Sequence, residues 1–344
     1  MKKMKAMLLT ELNHIEPAEI DMPEVKPGQV MVKVRHTGIC GSDLHYYEHG
    51  KVADFVVEFP FILGHESAGE VVAVGEGVNT LSLGDRVTME PGYTCGKCEF
   101  CKTGRYNLCP DVVFFATPPV QGTLCEYVVH PADMCFKLPD NVDTMAGALV
   151  EPLSVGFHAA KQGGAAPGMT AAVLGSGCIG LCTCMALQAF GIHKIFMTDM
   201  IDIRLDAARD LGADAINISK VNAEEYIAKA TNGRGVDLVI DTSGNARAAA
   251  STAKLVATGG TIVMVGMAPN PVFEYDFGAL QGKEATIKTV FRYRNMYPTA
   301  IEAIANGLPI NKIVNSVFQF DDTAKAFQFN CANKGEVVKA VIEY

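Results

Sequence analysis

The sequence lacks long apolar runs and an excess of positive charge. No stretch reaches the roughly 18 consecutive apolar residues that a membrane-spanning helix needs, so we expect no membrane partner. A formal net charge of −9 over 344 residues argues against nucleic acid and anionic membrane surfaces as partners. The first residues are basic, but acidic residues soon follow a short apolar patch, and we therefore expect no signal peptide.

Cysteine is abundant by contrast. Eleven cysteines in a chain without an export signal indicate a reducing compartment, and we expect a cytoplasmic protein. In such a compartment cysteines are core residues, metal ligands or reactive thiols. The length predicts two domains, and 49% hydrophobic residues with 33 glycines are typical of a soluble enzyme with a large core and many tight turns.

A short apolar run at 171–174 begins a pattern typical of dinucleotide binding. Gly175, Gly177 and Gly180 follow it in a G-x-G-x-x-G arrangement at a strand-to-helix turn. The next helix would direct its free N–H groups towards phosphates. Asp199 ends the following strand, where its carboxylate would accept hydrogen bonds from ribose hydroxyls and repel a 2′-phosphate. A chance glycine turn is the alternative, but the strand, the helix and the terminal acid together favour NAD.

Strand-like and helix-like segments alternate from 170 to about 290, as a doubly wound parallel sheet requires. We predict its strands near 171–175, 194–199, 215–218, 236–241, 260–266 and 285–290. Before about residue 145 the sequence is β-rich and shows few helical periods. The fold class is therefore α/β, with a β-rich domain ahead of a nucleotide-binding domain.

Cys40, His65 and Glu66 offer a thiolate, an imidazole and a carboxylate within the β-rich part. Three protein ligands plus water are the usual design of a catalytic zinc site. Taken alone, Cys40 is more often a buried thiol, and a His-Glu pair more often lies on the surface. Beside a nicotinamide-type fold the zinc interpretation is favoured, because hydride transfer needs a Lewis acid that polarises an alcohol oxygen.

A second group of candidate ligands lies in one loop that contains glycine and lysine. Its members are Cys95, Cys98, Cys101 and Cys109, and four thiolates suit a closed structural zinc site. An iron–sulfur cluster is one alternative, but a bacterial ferredoxin has three residues, not seven, before its last cysteine. A zinc ribbon that binds nucleic acid is another, and the acidic charge disfavours it.

Taken together, these motifs resemble the zinc-dependent medium-chain dehydrogenases, and specifically their polyol (sorbitol/xylitol) branch. The matching segments run from about residue 30 to 295 in the family's order: 38–45, 64–66, 84–86, 95–109, 114–119, 151–156, the nucleotide fingerprint and 291–293. The resemblance implies a GroES-like catalytic domain over residues 1–152 and 291–344, which carries the zinc sites. It implies a Rossmann NAD-binding domain over residues 153–290.

The resemblance also implies roles for individual residues. In catalysis the proton would leave through Ser42 or a water held by Glu151, with His45 as its exit towards solvent. The expected cofactor-binding residues are Gly175, Gly177, Ile179, Gly180, Asp199, Arg204, Val265, Gly266, Met267, Val290, Phe291 and Arg292. The expected substrate-binding residues are Tyr46, Phe114, Thr117, Glu151, Arg292 and Tyr293. Core packing is the alternative role for Phe114, and a surface pair is the alternative for Arg292 and Tyr293.

Whether Glu66 or Glu151 contacts the catalytic zinc is open at this point. A charge in the apolar segment around Glu151 needs a partner or a function. The resemblance places Glu151 at the metal-bound water and the substrate hydroxyl, whereas related alcohol dehydrogenases have a cysteine ligand in this region. We expect Glu66 to be the ligand and Glu151 to lie outside the ligand shell.

The sequence thus predicts one catalytic and one structural Zn²⁺ per chain, with NAD as the cofactor. The predicted reaction is the reversible oxidation of a small polyol, of the sorbitol, L-iditol or xylitol type, to a ketose. One alternative is a butanediol- or threonine-type dehydrogenase of the same superfamily. A non-catalytic nucleotide-binding relative is a further alternative, which the intact candidate site residues disfavour. We also expect a homotetramer, or else a dimer.

Overall fold

The computed structural model describes residues 2–267 and 272–344, and the chain forms two compact units. The first unit comprises Met1–Glu151 and Tyr297–Tyr344, and the second comprises Pro152–Met296. Among the described residues, no helix has both the length and the hydrophobicity that crossing a lipid bilayer requires.

The strands of the described residues are numbered here in chain order. They are β1 Lys3–Glu11, β2 His14–Asp21, β3 Gln29–Gly38, β4 Lys51–Val52, β5 Phe55–Val56, β6 Phe61–Ile62, β7 Glu66–Val74, β8 Arg86–Met89, β9 Gly92–Tyr93, β10 Val113–Phe114, β11 Tyr127–Pro131, β12 Cys135–Lys137, β13 Thr170–Leu174, β14 Lys194–Asp199, β15 Asp214–Asn217, β16 Val236–Asp241, β17 Val256–Met264, β18 Thr286–Thr289, β19 Ser316–Gln319 and β20 Ala340–Glu343.

The α-helices are numbered in the same way. They are α1 Gly41–His49, α2 Glu99–Lys102, α3 Thr144–Ala148, α4 Val150–Gly163, α5 Cys178–Ala189, α6 Asp202–Asp210, α7 Ala223–Ala230, α8 Ala246–Leu255, α9 Phe277–Lys283, α10 Tyr297–Ala305 and α11 Thr323–Ala332. Short 3₁₀ segments lie at Tyr106–Leu108, Ala132–Met134, Ile310–Ile313 and Phe320–Asp322.

The first unit is built on a sheet in which β3 is central. Its strand order is β12-β8-β7-β3-β20-β19, and β11 also pairs with β3. Val30, Val32 and Val34 alternate along β3 and are fully buried, as the sequence pattern predicts for a strand with one face in the core. At the end of β3, Gly38 pairs with Glu66 of β7. The chain that leaves β3 is therefore delivered next to the start of β7.

Helix α1 departs from the expectation that this region is almost entirely β. Its sequence shows no clear apolar stripe, because the two adjacent buried tyrosines, Tyr46 and Tyr47, are flanked by histidines and acidic residues. Local hydrogen bonds define its ends instead: the Asp43 carboxylate accepts from the N–H of Cys40, the N-cap residue. Gly50 closes the helix in the left-handed conformation, with φ of 68°.

The second unit contains a six-stranded parallel sheet in the order β15-β14-β13-β16-β17-β18. This is the doubly wound order, in which the direction of winding reverses beside the first strand, β13. All six strands were predicted; β17 begins at Val256, four residues before the predicted start at 260. The expected α/β fold class is confirmed. Ligands of such sheets bind in the crevice at the carboxyl ends of the strands near this reversal.

Candidate metal centres and cofactor site

Cys40, His65 and Glu66 converge at one point in the first unit. One ligand atom from each side chain lies within 4.8 Å of the other two. His65 is 7% exposed and Glu66 is 1% exposed, so two of the three candidate ligands are almost out of contact with water. A soft thiolate, an imidazole and a carboxylate form a donor set that fits zinc and leaves a fourth position for water or substrate.

Asp43 orients the other members of this group, although no role was assigned to it from the sequence. Its Oδ2 accepts the N–H of Cys40 at 3.0 Å, and its Oδ1 accepts the N–H of Gly64 at 3.0 Å. The same Oδ1 lies 3.5 Å from Nδ1 of His65. The carboxylate thus directs Nε2 of His65 towards the point of convergence, as carboxylates commonly do behind metal-binding histidines.

The charge of Asp43 also acts on the imidazole. Burial alone would lower the pKa of His65, but the Asp43 carboxylate outweighs burial and raises that pKa well above its usual value. For Asp43 the two effects have the opposite signs. Burial alone would raise its pKa, but the interaction with His65 outweighs burial and lowers it. A cation that binds at Nε2 would therefore displace a proton from His65, which couples metal binding to pH.

A second missed residue, Lys339, approaches the group from the far end of the chain. Its ammonium forms a close ion pair with Oε2 of Glu66, and both side chains are at most 3% exposed. The sequence separation of 273 residues explains why no local pattern indicated this pair. From the sequence alone, a lysine directly before a C-terminal strand is most simply interpreted as an exposed surface residue.

Glu151, on α4, is 6% exposed and is absent from both groups of converging ligand atoms in the described residues. It faces another buried acid, Glu90. Burial, opposed by the Tyr106 hydroxyl and reinforced by the negative charge of Glu151, raises the pKa of Glu90 to about 7. That hydroxyl donates to Oε1 of Glu90 at 2.6 Å. Two acids thus share a poorly hydrated region of the first unit.

The other predicted catalytic and substrate residues of the first unit have different surroundings. Phe114 is buried, and the centroid of its ring lies 5.8 Å from that of His65. Tyr46 is buried in the core, with its ring 6.3 Å from Phe61. Ser42 is half-buried and His45 is exposed on α1. Phe114 thus packs against the candidate ligand His65, and the roles of all these residues stay predictions.

The four cysteines of the loop also converge. Their Sγ–Sγ distances include 3.4 Å for Cys98–Cys101, 3.6 Å for Cys95–Cys109 and 4.0 Å for Cys95–Cys101. A tetrahedral zinc with Zn–S bonds of about 2.3 Å would place its sulfurs about 3.8 Å apart, so the spacing fits. Backbone N–H groups of Lys97 and Cys98 lower the pKa of Cys95, and a hydrogen bond with Thr94 lowers that of Cys101 to about 7. The pKa of Cys98 is raised, and burial raises that of Cys109 to about 11. Without a metal, the loop therefore favours the thiolate, the form that binds metal, at Cys95 and Cys101.

In the second unit, Asp199 ends β14 and is tied to the glycine turn. Its Oδ2 accepts the N–H of Ser176 at 2.9 Å, and its Oδ1 accepts the N–H groups of Met200 at 2.7 Å and Ile201 at 3.0 Å. These bonds fix the carboxylate at the carboxyl edge of the sheet. The position is the one that the fingerprint predicts for an acid that binds the ribose hydroxyls.

The glycine turn itself has the close packing that the fingerprint requires. A Cβ on Gly180 would overlap the carbonyl oxygen of Gly175, so this position of α5 accepts only glycine. Nη1 of Arg204 would lie 3.9 Å from a Cβ on Gly177, which places its guanidinium beside the turn. Ile179 is the second residue of α5. A cation beside the turn is compatible with binding of a pyrophosphate.

The remaining predicted cofactor residues follow β17 and β18. The N–H groups of Val265 and Gly266 both donate to the carbonyl of Asp241, at 2.9 and 3.0 Å, and Met267 is exposed. Val290 continues from β18 with its N–H bonded to the carbonyl of Met264. After it, the Arg292 guanidinium lies 5.0 Å from the centroid of Phe291, and Tyr293 is buried. Their roles towards cofactor and substrate stay predictions.

Comparison with known proteins identifies the family. The model of the alcohol dehydrogenase GroES-like domain matches residues 26–140, and that of the zinc-binding dehydrogenase matches residues 178–306. A sorbitol dehydrogenase of Bacillus subtilis is 42% identical over 99% of this chain and 97% of its own. The chain belongs to the zinc-binding dehydrogenases. The family resemblance inferred from the motifs is thereby confirmed.

Other zinc-binding dehydrogenases and solved relatives agree. A putative D-xylulose reductase of Rhizobium meliloti is 41% identical over 98% of this chain and 99% of its own. The structure of an Escherichia coli oxidoreductase of unknown specificity superposes with a TM-score of 0.96 at 40% identity, covering 99% of both chains. A Sinorhizobium meliloti zinc-binding dehydrogenase solved with NADP has a TM-score of 0.92 at 30% identity, covering 100% of both chains. Zinc chemistry is thus the family's, and both ligand groups of this chain fit the metal.

Proposed function

We propose that this zinc-binding dehydrogenase oxidises a small polyol, of the sorbitol, L-iditol or xylitol type, to a 2-ketose with NAD. The observation that carries the proposal is the convergence of Cys40, His65 and Glu66 on one point, oriented by the buried Asp43. Relatives named sorbitol dehydrogenase and D-xylulose reductase support the substrate class.

The three ligands would hold the catalytic zinc, which supplies Lewis acidity to an oxygen bound at its open position. Asp43 keeps His65 in the orientation that leaves Nε2 available to the metal, and its bonds to two backbone N–H groups limit movement of the ligands. Phe114 packs beside His65 and would exclude water from one side of the site.

Proton transfer would use the polar residues of the first unit. We assign Ser42 or a water held by Glu151 as the acceptor of the substrate proton, and the exposed His45 as its exit towards solvent. Glu90 is compatible with this role of Glu151: burial and the charge of Glu151 raise the pKa of Glu90 to about 7, so below that pH Glu90 is neutral and adds no second negative charge beside Glu151. Arg292 and Tyr293 are assigned to substrate hydroxyls.

A substrate panel tests the proposal. NAD reduction should be measured with sorbitol, xylitol, arabinitols, galactitol, butanediol and threonine side by side, with Cys40→Ser as the inactive control. We expect the highest kcat/KM for one of the polyols. A higher value for butanediol or threonine would instead identify the chain as that kind of secondary-alcohol dehydrogenase, and no activity from a zinc-loaded protein would contradict both.

Cofactor choice gives a second test. The Asp199 carboxylate would face the 2′-phosphate of NADP, so we expect NAD to be preferred by about two orders of magnitude in kcat/KM, roughly 3 kcal/mol. Asp199→Ala with Met200→Arg should narrow or reverse the preference. Because Asp199 also accepts three backbone N–H groups, Asp199→Asn is the matched control that removes the charge and retains an acceptor. Equal efficiency of the wild type with NADP would withdraw this role from Asp199.

The cellular location and the oligomeric state complete the proposal. We propose a cytoplasmic location, supported by the eleven cysteines, all of which are free thiols. We also propose a homotetramer or dimer, on the family resemblance alone. Analytical ultracentrifugation would distinguish these assemblies from a monomer.

A further inference from the structure

Lys339 is a buried cation placed against a candidate metal ligand. Besides the ion pair with Glu66, its Nζ donates to the carbonyl oxygen of Ile39 at 2.9 Å. Ile39 directly precedes Cys40. The lysine therefore contacts both segments that supply the candidate ligands, although it lies about 270 residues further along the chain than Glu66.

The backbone holds Lys339 in this place. Val341 of β20 pairs with Gly38 of β3, and the N–H of Ile39 donates to the carbonyl of Ala340 at 3.0 Å. A Cβ on Gly38 would overlap Oε2 of Glu66 and come within 3.0 Å of Cε of Lys339. The ion pair between Lys339 and Glu66 thus occupies the space beside Gly38 that any larger residue would fill.

A buried ammonium and a divalent cation make opposite demands on the same carboxylate. The removal of one partner from a buried ion pair is strongly destabilising, because the other charge is left uncompensated. A carboxylate that already accepts from an ammonium has less electron density to donate to a metal. We propose that Lys339 is a positioning residue that takes the place of the metal for Glu66 in the metal-free site, and that it weakens the hold of Glu66 on bound zinc.

Two consequences follow from this competition. Without Lys339, the metal-free protein loses the partner of a buried carboxylate, whereas in the zinc-loaded protein the metal still compensates Glu66. Loss of Lys339 should therefore destabilise the metal-free form more than the loaded form. It should also slow the release of the catalytic zinc, since Glu66 is then free to bind the metal fully.

The experiment compares Lys339→Met with the wild type, without substrate or NAD. The zinc-loaded proteins are mixed with excess chelator, and the catalytic zinc is the one that Cys40→Ser lacks. We expect release from Lys339→Met to be slower by about tenfold, the lower end of the effects seen for outer-shell partners of metal ligands. Lys339→Arg retains the cation and should release zinc at the wild-type rate. Lys334→Met is the matched control, because Lys334 pairs with Glu48 in a partly exposed ion pair, at 3.0 Å.

Thermal unfolding gives the second readout, with the catalytic zinc either removed or present. We expect the Tm of Lys339→Met to fall more in the metal-free form than in the loaded form. Equal falls with an unchanged release rate would make the pair purely structural and overturn the proposal, and so would faster release, which would mean that Lys339 directs Glu66 to the metal. If the metal-free variant does not fold, the release rate from the loaded protein still decides.

The inference rests on the proposed assignment of Cys40, His65 and Glu66 to the catalytic zinc. The zinc assignment and the proposal for Lys339 can fail separately. A wild-type protein that lacks a zinc dependent on Cys40 would remove the assignment, and the Lys339 proposal with it. A wild type with that zinc, and a Lys339→Met variant that releases it at an equal or higher rate, would remove the Lys339 proposal alone.

Discussion

The two ligand groups of the first unit are assembled in different ways. The four-cysteine group lies within 15 consecutive residues, Cys95 to Cys109, and three of its members are half-buried. The other group consists of Cys40, which follows the end of β3, and of His65 and Glu66, which lie at the start of β7 and are almost fully buried. One site is closed by its own loop, and the other depends on the sheet that joins its parts.

The difference teaches what each metal does for the chain. A zinc bound by four thiolates in this loop would supply folding energy there, because a structural zinc site contributes its binding free energy to folding. The Cys40 group is held by Asp43 and Lys339 without a metal, so its geometry is organised in advance. We therefore expect metal loss to unfold the cysteine loop and to leave the Cys40, His65 and Glu66 site largely folded.

The largest expected effect separates the two sites directly. Cys40→Ser should abolish turnover, retain one zinc per chain and change Tm little. Cys98→Ser should mainly destabilise the protein, since structural zinc contributes to folding. Zinc content by elemental analysis, Tm and kcat measure the three effects. A carefully prepared wild type with a single zinc would contradict the two-site comparison.

Replacement of Asp43 tests whether the second site is organised in advance. In Asp43→Asn one oxygen becomes an amide nitrogen, so either the N–H of Cys40 or that of Gly64 loses its acceptor. We expect zinc affinity at this site to fall by about 10- to 100-fold. The matched control is Asp143→Asn, which alters the acceptor of the Ala146 N–H at the start of α3. Equal zinc affinity of both variants would show that the ligands need no orienting carboxylate.

These sites also show how far the sequence leads. The spacing of the four cysteines predicted that they converge, because all four lie within one short segment, from Cys95 to Cys109. Cys40, His65 and Glu66 were predicted as a group from their chemistry, and they do converge. The two residues that hold them, Asp43 and Lys339, were not predicted. Asp43 lies inside the motif at 38–45, and its three-residue spacing from Cys40 is a capping signal that could have indicated both the helix and the acceptor. Lys339 had no such signal, since only the pairing of β20 with β3 brings it near Glu66.

The fold shows the same division between local and non-local information. In the second unit, strands such as β13 and β16 were predicted because buried parallel strands are continuous apolar runs. The exposed β18 was predicted from the alternation of strands and helices instead. Residues 122–129 also have the sequence of a strand, and the prediction of a strand there is only partly right, because regular pairing begins at Tyr127. Before Tyr127, the N–H groups of Gly122, Thr123 and Leu124 donate to carbonyl oxygens at 62–64, but these bonds do not extend into a regular strand pair. Alternation of residues alone does not reveal this.

A smaller effect distinguishes Glu66 from Glu151 as a zinc ligand. If Glu66 is a ligand and Glu151 is not, Glu66→Ala should retain less zinc than Glu151→Ala after dialysis. Glu151→Ala should instead reduce kcat with the metal still bound. Each variant is the control for the other, and zinc content per chain is the measurement. The opposite order of zinc loss would place Glu151 among the ligands.

The smallest expected effect concerns Glu90, which accepts a hydrogen bond from the Tyr106 hydroxyl of the cysteine loop and interacts with the buried acid Glu151. Burial raises the pKa of this acid from 4.5 to about 7 in the folded protein. Between these values the folded state binds more protons than the unfolded state, so Glu90 costs stability progressively as the pH rises from 4.5 to 7. The cost reaches an upper bound of roughly 3 kcal/mol above pH 7.

Glu90→Gln removes the titration and retains an oxygen that accepts from Tyr106. Its free energy of unfolding in urea, relative to the wild type, should therefore increase between pH 5 and pH 8. Tyr106→Phe provides the matched comparison: the hydroxyl lowers the pKa of Glu90, so its loss should shift the wild-type decline to higher pH. Parallel stability curves for the wild type and Glu90→Gln would mean that Glu90 titrates like an exposed acid. The link between the cysteine loop and the buried acids would then be a hydrogen bond without electrostatic consequence.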